Sequence, residues 1–246
     1  MPYIVHHKIK LFYLIKSKQR SKTITIRVDL HNGTNVSTPK TVRKSFVKDF
    51  IKKKADWILE KQSTFQQLSQ KYPPKEFVNG ETFPLLGLNY RLKLVRTPHL
   101  GEYTCHINGR RIWVTIDGQV GQDLKEIVRG TVRQWYLQQT EKKVRESVRK
   151  YSTVLGLMPK NIKVVQRAKR WASCSKRGNL RFNWMISMMP MSVLDYVVVH
   201  ELCHLKILNH SSSFWRILKS ILPDYENCRE WLRENGLRLS LMYNTL

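Results

Sequence analysis

The sequence predicts an α+β fold, with a β-rich N-terminal half to about residue 120 followed by a helical half that carries a small sheet. Two patterns support this prediction. Apolar and β-branched residues alternate over 23–38 and again in segments between 82 and 116, as they do in half-buried strands. Apolar residues recur at helical spacing over 123–151. We therefore expect two regions, 1–120 and 121–246.

The first elements are a hairpin and a helix. Residues 23–38 predict two strands, and Asn32-Gly33 between them supplies the positive φ angles of a tight turn. The period then changes to helical spacing, which predicts one helix from Thr41 to about Leu68. Pro73-Pro74 follows that helix and stops it, because neither ring nitrogen can donate a hydrogen bond.

The remaining elements are predicted in the same way. Strands are expected at 82–95, 103–107 and 111–116, and Asn108-Gly109 joins the last two. After the helix at 123–151 we expect strands at 162–165 and 180–184, a helix from Pro190 to His204, and a further helix that begins at Ser211 or Ser212 and ends before Pro223.

The charge of the chain is strongly positive. Its 246 residues include 44 Lys and Arg against 18 Asp and Glu, for a formal net charge of +26. Such an excess indicates a polyanionic neighbour: nucleic acid, nucleotide phosphates or an anionic membrane surface. The basic residues concentrate at 48–54 and at 160–181, and the second stretch contains no acidic residue. A solvated basic surface is the simpler alternative.

Other sequence features bear on the compartment. No apolar run is long enough to span a bilayer, since Asp195 and His200 interrupt the best candidate. The four cysteines are scattered and form no CxxC pair, which favours free thiols over a disulfide framework. Residues 1–22 do not have the pattern of a secretory signal. We expect a cytoplasmic protein with no membrane partner.

The strongest chemical motif is His-Glu-Leu-Cys-His at 200–204. His200 and His204 lie one helical turn apart, so both imidazoles project from one face and can hold one zinc ion. Glu201 lies beside the first ligand, where its carboxylate can reach a zinc-bound water without binding the metal itself. The apolar residues before His200 predict that the metal-binding helix is buried.

A catalytic zinc site needs a third protein ligand and an open position. His210 is the favoured candidate, and Asn209 in a left-handed conformation would turn the chain back toward the metal. Glu226 or Glu230 on the following helix is the alternative. Cys174 and Cys203 are near the site in sequence, but small buried hydrophobic residues are the favoured interpretation. Phe214 and Trp215 are interpreted as core residues of the next helix.

Three segments resemble one family. Residues 200–215, which read HELCHLKILNHSSSFW, are similar to the signature of the YgjP-like metallopeptidases, relatives of the SprT-like zinc peptidases. Residues 170–184 and 79–87 resemble two further segments of that family. The likeness covers about residues 20 to 236. It implies a minimal zincin-like catalytic half in which His200, His204 and His210 hold zinc and Glu201 is the base.

Two positions depart from related patterns. Ala172 stands where this family usually has glycine, which could change the freedom of the backbone there. Ile207 stands where the zincins with the longer HExxHxxGxxH pattern place glycine, so the turn of those enzymes is not assumed here.

Three functions are weighed. The favoured function is a zinc-dependent metallopeptidase that hydrolyses peptide bonds through a Glu-activated, zinc-bound water, with one zinc per chain and a protein or peptide substrate. The strand at 180–184, if it edges the cleft, would pair with that substrate. The alternatives are a zinc-dependent phosphoanhydride hydrolase acting on nucleoside triphosphates, and a DNA-associated protease or binding protein that uses the basic segments. No residue is assigned as the oxyanion donor. Tyr196, one turn before His200, lies on the matching stripe of the helix, and the alternative is that it only supports the metal ligands.

Overall fold

The computed structural model describes residues 3–6, 9–18, 23–29, 33–98, 103–118, 123–166 and 170–243. It confirms the predicted α+β fold, with most strands in the first half and the longer helices in the second. Contacts divide the chain at the two prolines into compact units, Met1–Pro73 and Pro74–Leu246. The predicted regions 1–120 and 121–246 separate a strand-rich half from a helix-rich half and are not the two compact units. That division stays a prediction.

The first unit is a four-stranded sheet with two helices. Its strands are β1 (Tyr3–His6), β2 (Ile9–Lys18), β3 (Thr25–Asp29) and β4 (Gly33–Pro39), in the order β1-β2-β4-β3. The antiparallel pairing of β3 with β4 confirms the predicted hairpin, and Gly33 has the positive φ of a turn residue. Residues 30–32, including Asn32, lie outside the described residues.

The single helix predicted over 41–68 is wrong, because the structure has two. They are α1 (Lys44–Lys53) and α2 (Ala55–Lys71). The backbone of Lys54 between them leaves the helical region, with φ −109° and ψ 8°. Ile51 and Ile58 are both fully buried in the core of this unit. The apolar spacing therefore continues across the break, which is why the sequence pattern does not reveal it.

The second unit begins with another four-stranded sheet. Its strands are β5 (Thr82–Leu85), β6 (Leu88–Thr97), β7 (Thr104–Asn108) and β8 (Arg111–Asp117), in the order β5-β6-β8-β7. The expected strand at 82–95 is thus a hairpin, β5–β6. Residues on one face, among them Leu92, Ile112 and Val114, are buried in the main core, and those on the opposite face are more exposed.

The long helix α3 (Leu124–Leu155) connects this sheet to the rest of the unit. It ends at Gly156, whose φ of 64° is the left-handed conformation of a helix C-cap. In its second half, the hydroxyl groups of Ser147 and Tyr151 donate hydrogen bonds to the buried carboxylate of Asp195, at 2.6 and 3.0 Å. These bonds attach α3 to the next helix, α4 (Met191–Cys203).

A three-stranded sheet and three helices complete the unit. The strands are β9 (Asn161–Val165), β10 (Ala172–Cys174) and β11 (Asn179–Asn183), in the order β10-β11-β9. Strand β10 was not predicted, and it lies at the edge of this sheet beside α4. A short 3₁₀ helix (Trp184–Met188) leads to α4, and α5 (Ser212–Ile221) and α6 (Tyr225–Tyr243) follow.

Two further expectations concern helices and thiols. No helix in the described ranges is long and apolar enough to cross a membrane. The prediction of free thiols is confirmed, since all four cysteines are unbridged.

Candidate metal centre

Helix α4 is buried on nearly all sides because most of its residues are apolar. Its residues 193–199 are buried, and they include a run of three valines. Asp195, in the middle of this run, makes the hydrogen bonds to α3 described above. The helix is therefore fixed by both apolar packing and a polar anchor, and it carries His200 and Glu201 in its last turn and His204 at its C-cap.

Three imidazoles converge at the end of this helix. The Nε2 atom of His200 lies 3.2 Å from Nε2 of His204 and 3.0 Å from Nε2 of His210. The ligand atoms of all three residues lie within 4.8 Å of one another. Two of the residues come from one helical turn, and the third comes from the segment between α4 and α5. The structure thus brings together all three histidines predicted as metal ligands.

The donor set fits a zinc ion. Tetrahedral ligands at the usual Zn–N distance are separated by about 3.3 Å, close to the two shorter spacings above. Nδ1 of His204 lies 2.9 Å from the carbonyl oxygen of Ile207, so it carries the proton and leaves Nε2 free to ligate. Burial, together with the nearby His204, His210 and Arg229, lowers the pKa of His200 to about 3, which keeps this imidazole neutral.

The turn that delivers His210 differs from the predicted one. Among the described residues other than glycine, only Phe77 and Leu86 have a positive φ. Asn209 therefore does not adopt the left-handed conformation, and that prediction is wrong. Ile207 also needs no glycine, since its contribution is the carbonyl group that accepts from His204. The chain turns through residues 205–211 without a left-handed residue.

Glu201 directly follows His200 in α4 and is buried, with 6% of its surface exposed. Burial raises the pKa of its carboxyl group to about 7, against the opposing effects of a hydrogen bond from the backbone N–H of Cys174 and of the Arg170 charge. Its Oε2 atom has no hydrogen-bond partner among the described residues. One oxygen of the carboxylate that follows His200 is thus unpaired among the described residues, and burial raises the pKa of this group toward neutral pH.

The alternative ligands are engaged elsewhere. Glu230 forms an ion pair with Arg233 on the surface, and Glu226 accepts a hydrogen bond from Tyr225. Neither belongs to the histidine cluster. The thiols of Cys174 and Cys203 are also absent from it, and Cys203 is buried in the apolar core. Cys203 therefore matches the interpretation as a buried side chain, whereas Cys174 is only half-buried.

Aromatic side chains pack around the three histidines. The sequence predicts a core position for Phe214 and Trp215 but not these contacts. The ring of Phe214 is fully buried, with its centroid 4.7 to 5.0 Å from those of the three histidines. Trp215 is more than a core residue: its indole N–H donates to the His210 carbonyl at 3.1 Å, and its ring stacks on that imidazole. Tyr225 and Arg229 lie over the same indole. The only signal in the sequence is the short spacing between His210 and Trp215.

Tyr196 lies one turn before His200, as predicted, and its ring packs edge-on against the His200 imidazole. It is buried and stacks on Tyr225. These contacts assign Tyr196 a packing role beside the ligand.

The edge strand beside the site is β10. The carbonyl of Trp171 and the N–H of Ser175 bond to β11, at 2.8 and 3.0 Å. Because bonded residues alternate along an antiparallel strand, Ala172 and Cys174 direct their backbone groups away from β11. The N–H of Cys174 accordingly reaches Glu201. The strand expected at 180–184 corresponds to β11, which lies between β9 and β10, so the condition under which it would pair with a substrate is not met.

The family model described as "YgjP-like, metallopeptidase domain" matches residues 22–235 of this sequence. The chain belongs to the YgjP-like metallopeptidase family. The match extends over parts of both compact units and includes every residue of the candidate site. Membership identifies the protein as a metal-dependent peptidase in its general class, which makes it a hydrolase.

Other comparisons are sparse. A search of curated protein sequences gave no significant match. Among solved structures, the metallopeptidase zymogen of Pyrococcus abyssi abylysin is similar over 37% of this chain and 94% of that chain, with 23% sequence identity and a TM-score of 0.34.

In this YgjP-like metallopeptidase the basic segment 160–181 forms β9, β10 and most of β11. Lys163 on β9 and Arg181 on β11 are paired neighbours and both are exposed. Lys176 and Arg177, in the turn between β10 and β11, are exposed as well. Arg167 and Lys169 lie outside the described residues. The basic side chains in the described part of the segment are therefore exposed to solvent, and the binding of a polyanion to them stays a prediction.

Proposed function

We propose that the protein is a zinc-dependent peptidase in which His200, His204 and His210 hold one zinc ion and Glu201 acts as the general base. The observation that carries this proposal is the convergence of three imidazole nitrogens beside a buried carboxylate that has one unpaired oxygen. A protein or peptide is the substrate class that the family assignment supports.

The chemistry follows from the positions of these groups. A bound zinc ion would supply a Lewis acid that polarises the scissile carbonyl and acidifies the attacking water. Glu201 accepts the proton of that water through its unpaired Oε2 and passes it to the leaving amine. A base is most effective when its pKa lies near the working pH, and burial raises the pKa of Glu201 to about 7.

The edge strand provides a binding site for the substrate backbone. The N–H of Ala172 and the carbonyls of Ala172 and Cys174 face away from β11, on the side where Cys174 reaches Glu201. An extended peptide that pairs with these groups would lie along β10 with its scissile bond next to the base. Ala172 in place of glycine is compatible with this role because extended backbone does not require glycine.

The test is a combined metal and activity assay. Purified protein should contain about one zinc per chain, hydrolyse an unfolded protein such as reduced casein, lose that activity with a chelator and regain it with zinc. Nucleoside triphosphates are assayed in parallel under the same conditions. Hydrolysis of triphosphates without hydrolysis of any peptide would contradict the proposal and favour the phosphoanhydride alternative.

A further inference from the structure

The open face of the β5–β8 sheet carries a basic groove. Arg91, Arg110 and Arg111 line it together with Asn89, Asn108, Gly109 and Trp113, and its volume is about 560 Å³. The register explains the grouping, because Arg91 and Arg111 are paired neighbours on β6 and β8, and Lys93 is the neighbour of Trp113. The buried face of β8, with Ile112 and Val114, points the other way.

The arginines in this groove are exposed, and the described part of the chain offers them no acidic partner. No carboxylate among the lining residues faces them, and within the described ranges none of the three forms an ion pair. The backbone N–H of Arg91 bonds to the carbonyl of Arg110, so the β7–β8 turn is held against β6. Three positive side chains on a fixed framework favour a ligand with several negative groups in a row.

The aromatic residues on the same face indicate what else the ligand has. Trp113 and His106 are cross-strand neighbours with nearly parallel rings, 21° apart in plane. Trp113 is half-buried and lines the groove. Its indole N–H is buried and has no hydrogen-bond partner among the described residues, so no internal hydrogen bond explains an indole at this position. Aromatic side chains next to arginines on a sheet bind unpaired bases by stacking while the positive groups contact phosphates.

We propose that this groove binds single-stranded nucleic acid, with Arg91, Arg110 and Arg111 on the phosphodiester backbone and Trp113 stacked against a base. A single strand is favoured over a duplex, because the bases of a duplex are already stacked on one another and offer no free face to the indole. The groove lies on a different sheet from β10. Binding there does not depend on the proposed peptidase activity.

Binding is measured by fluorescence anisotropy with a labelled oligo(dT) strand of about 15 nucleotides, a common length for such sites. The full chain carrying Glu201→Gln is used, so that turnover plays no part. The affinity should fall steeply with salt, and Arg91→Gln with Arg111→Gln should weaken it about tenfold. The same pair should reduce the slope of log K against log salt by about 1.4, because each phosphate contact to a single strand contributes about 0.7.

Matched variants separate this groove from general positive charge. Lys142→Gln with Arg149→Gln removes two exposed charges from α3, outside the groove, and should leave the affinity within about twofold, as expected for charges that contact no phosphate. Trp113→Leu should weaken binding at least about fivefold, while Trp113→Phe, which keeps a ring, should retain most of it. Thermal unfolding of each variant checks the fold, and the exposed arginine pair carries the test if Trp113→Leu does not fold.

Three results would overturn the proposal. The first is no binding at low salt. The second is an equal loss of affinity in the α3 control pair, which would indicate diffuse attraction by the net charge. The third is equal affinity for a duplex and a single strand together with no effect of Trp113→Leu, which would show that no base stacks in the groove.

Discussion

At the scale of single residues, the role proposed for Glu201 is the most specific. Glu201→Gln keeps the shape of the side chain but removes the basic oxygen that lies next to the histidines. We expect the variant to keep its zinc and its fold, while turnover of the peptide substrate falls by about 10²- to 10⁴-fold, the usual contribution of a general base. Turnover and zinc content are measured on the same sample.

Glu226→Gln is the matched control for that variant. It makes the same chemical change on an exposed residue that lies outside the histidine cluster, and turnover should stay near that of the wild type. Near wild-type turnover in zinc-loaded Glu201→Gln would remove Glu201 from the mechanism.

His210 tests the metal site independently of catalysis. It is the most exposed of the three histidines, and its truncation leaves no buried cavity. We therefore expect His210→Ala to fold normally but to lose zinc to a competing chelator at a much lower chelator concentration. Glu230→Ala, which breaks only the surface ion pair with Arg233, should not change zinc affinity. Unchanged zinc affinity in His210→Ala would show that the third ligand is another residue.

At the scale of elements, the edge strand β10 yields a pair of contrasting variants. The N–H of Ala172 faces away from β11, so Ala172→Pro removes a donor for the substrate and no bond within the sheet. We expect KM for a peptide to rise about two- to tenfold, as for the loss of one hydrogen bond. Ser173→Pro removes a donor that faces β11 and should lower the thermal midpoint instead. Equal effects of both variants on stability would contradict the proposed direction of these groups.

The anchor between α3 and α4 is a second test at this scale. Asp195→Ala leaves the hydroxyl groups of Ser147 and Tyr151 without their buried acceptor. The free energy of unfolding should fall by about 3 kcal/mol, and Ser147→Ala, which removes only one donor, should cost about 1 kcal/mol. Urea unfolding of the zinc-loaded proteins measures both values. A smaller loss in Asp195→Ala than in Ser147→Ala would contradict the anchor.

At the scale of the whole molecule, the reactivity of the four cysteine thiols measures how far folding removes them from solvent. Burial raises the pKa of Cys105 to about 12 and that of Cys203 to about 11, and it also raises the pKa values of Cys174 and Cys228. The thiolate is the reactive form, so a raised pKa lowers its fraction at pH 8. Iodoacetamide should modify the folded chain at least about tenfold more slowly than the urea-unfolded chain, and faster as the pH rises. Rapid modification of Cys105 in the folded protein would contradict its burial.

The sequence predicts most of the elements because their signals are local. The turn glycines at 33 and 109 and the alternation around them define two hairpins, and the histidine spacing defines the ligand-bearing turn of α4. The break at Lys54 leaves no trace, because the buried face runs on through it. Strand β10 has only three residues and derives its position from β11 and α4, which lie far from it in sequence. The contact of Trp215 with His210 likewise depends on how α5 packs against the turn that carries His210.

The eleven residues from His200 to His210 contain all three histidines of the candidate metal centre, which has a consequence for how the site assembles. Closing so short a loop carries a small entropic cost, so the chelate can form once α4 and the turn after it are in place. The orientation of Glu201 depends instead on Cys174, which is distant in sequence. Binding of the ion therefore depends on residues that are close together in the sequence, whereas hydrolysis depends also on a contact between residues that are far apart in it. If β10 opened locally, the three histidines could still hold a zinc ion, but the Glu201 carboxylate would no longer be oriented by the N–H of Cys174.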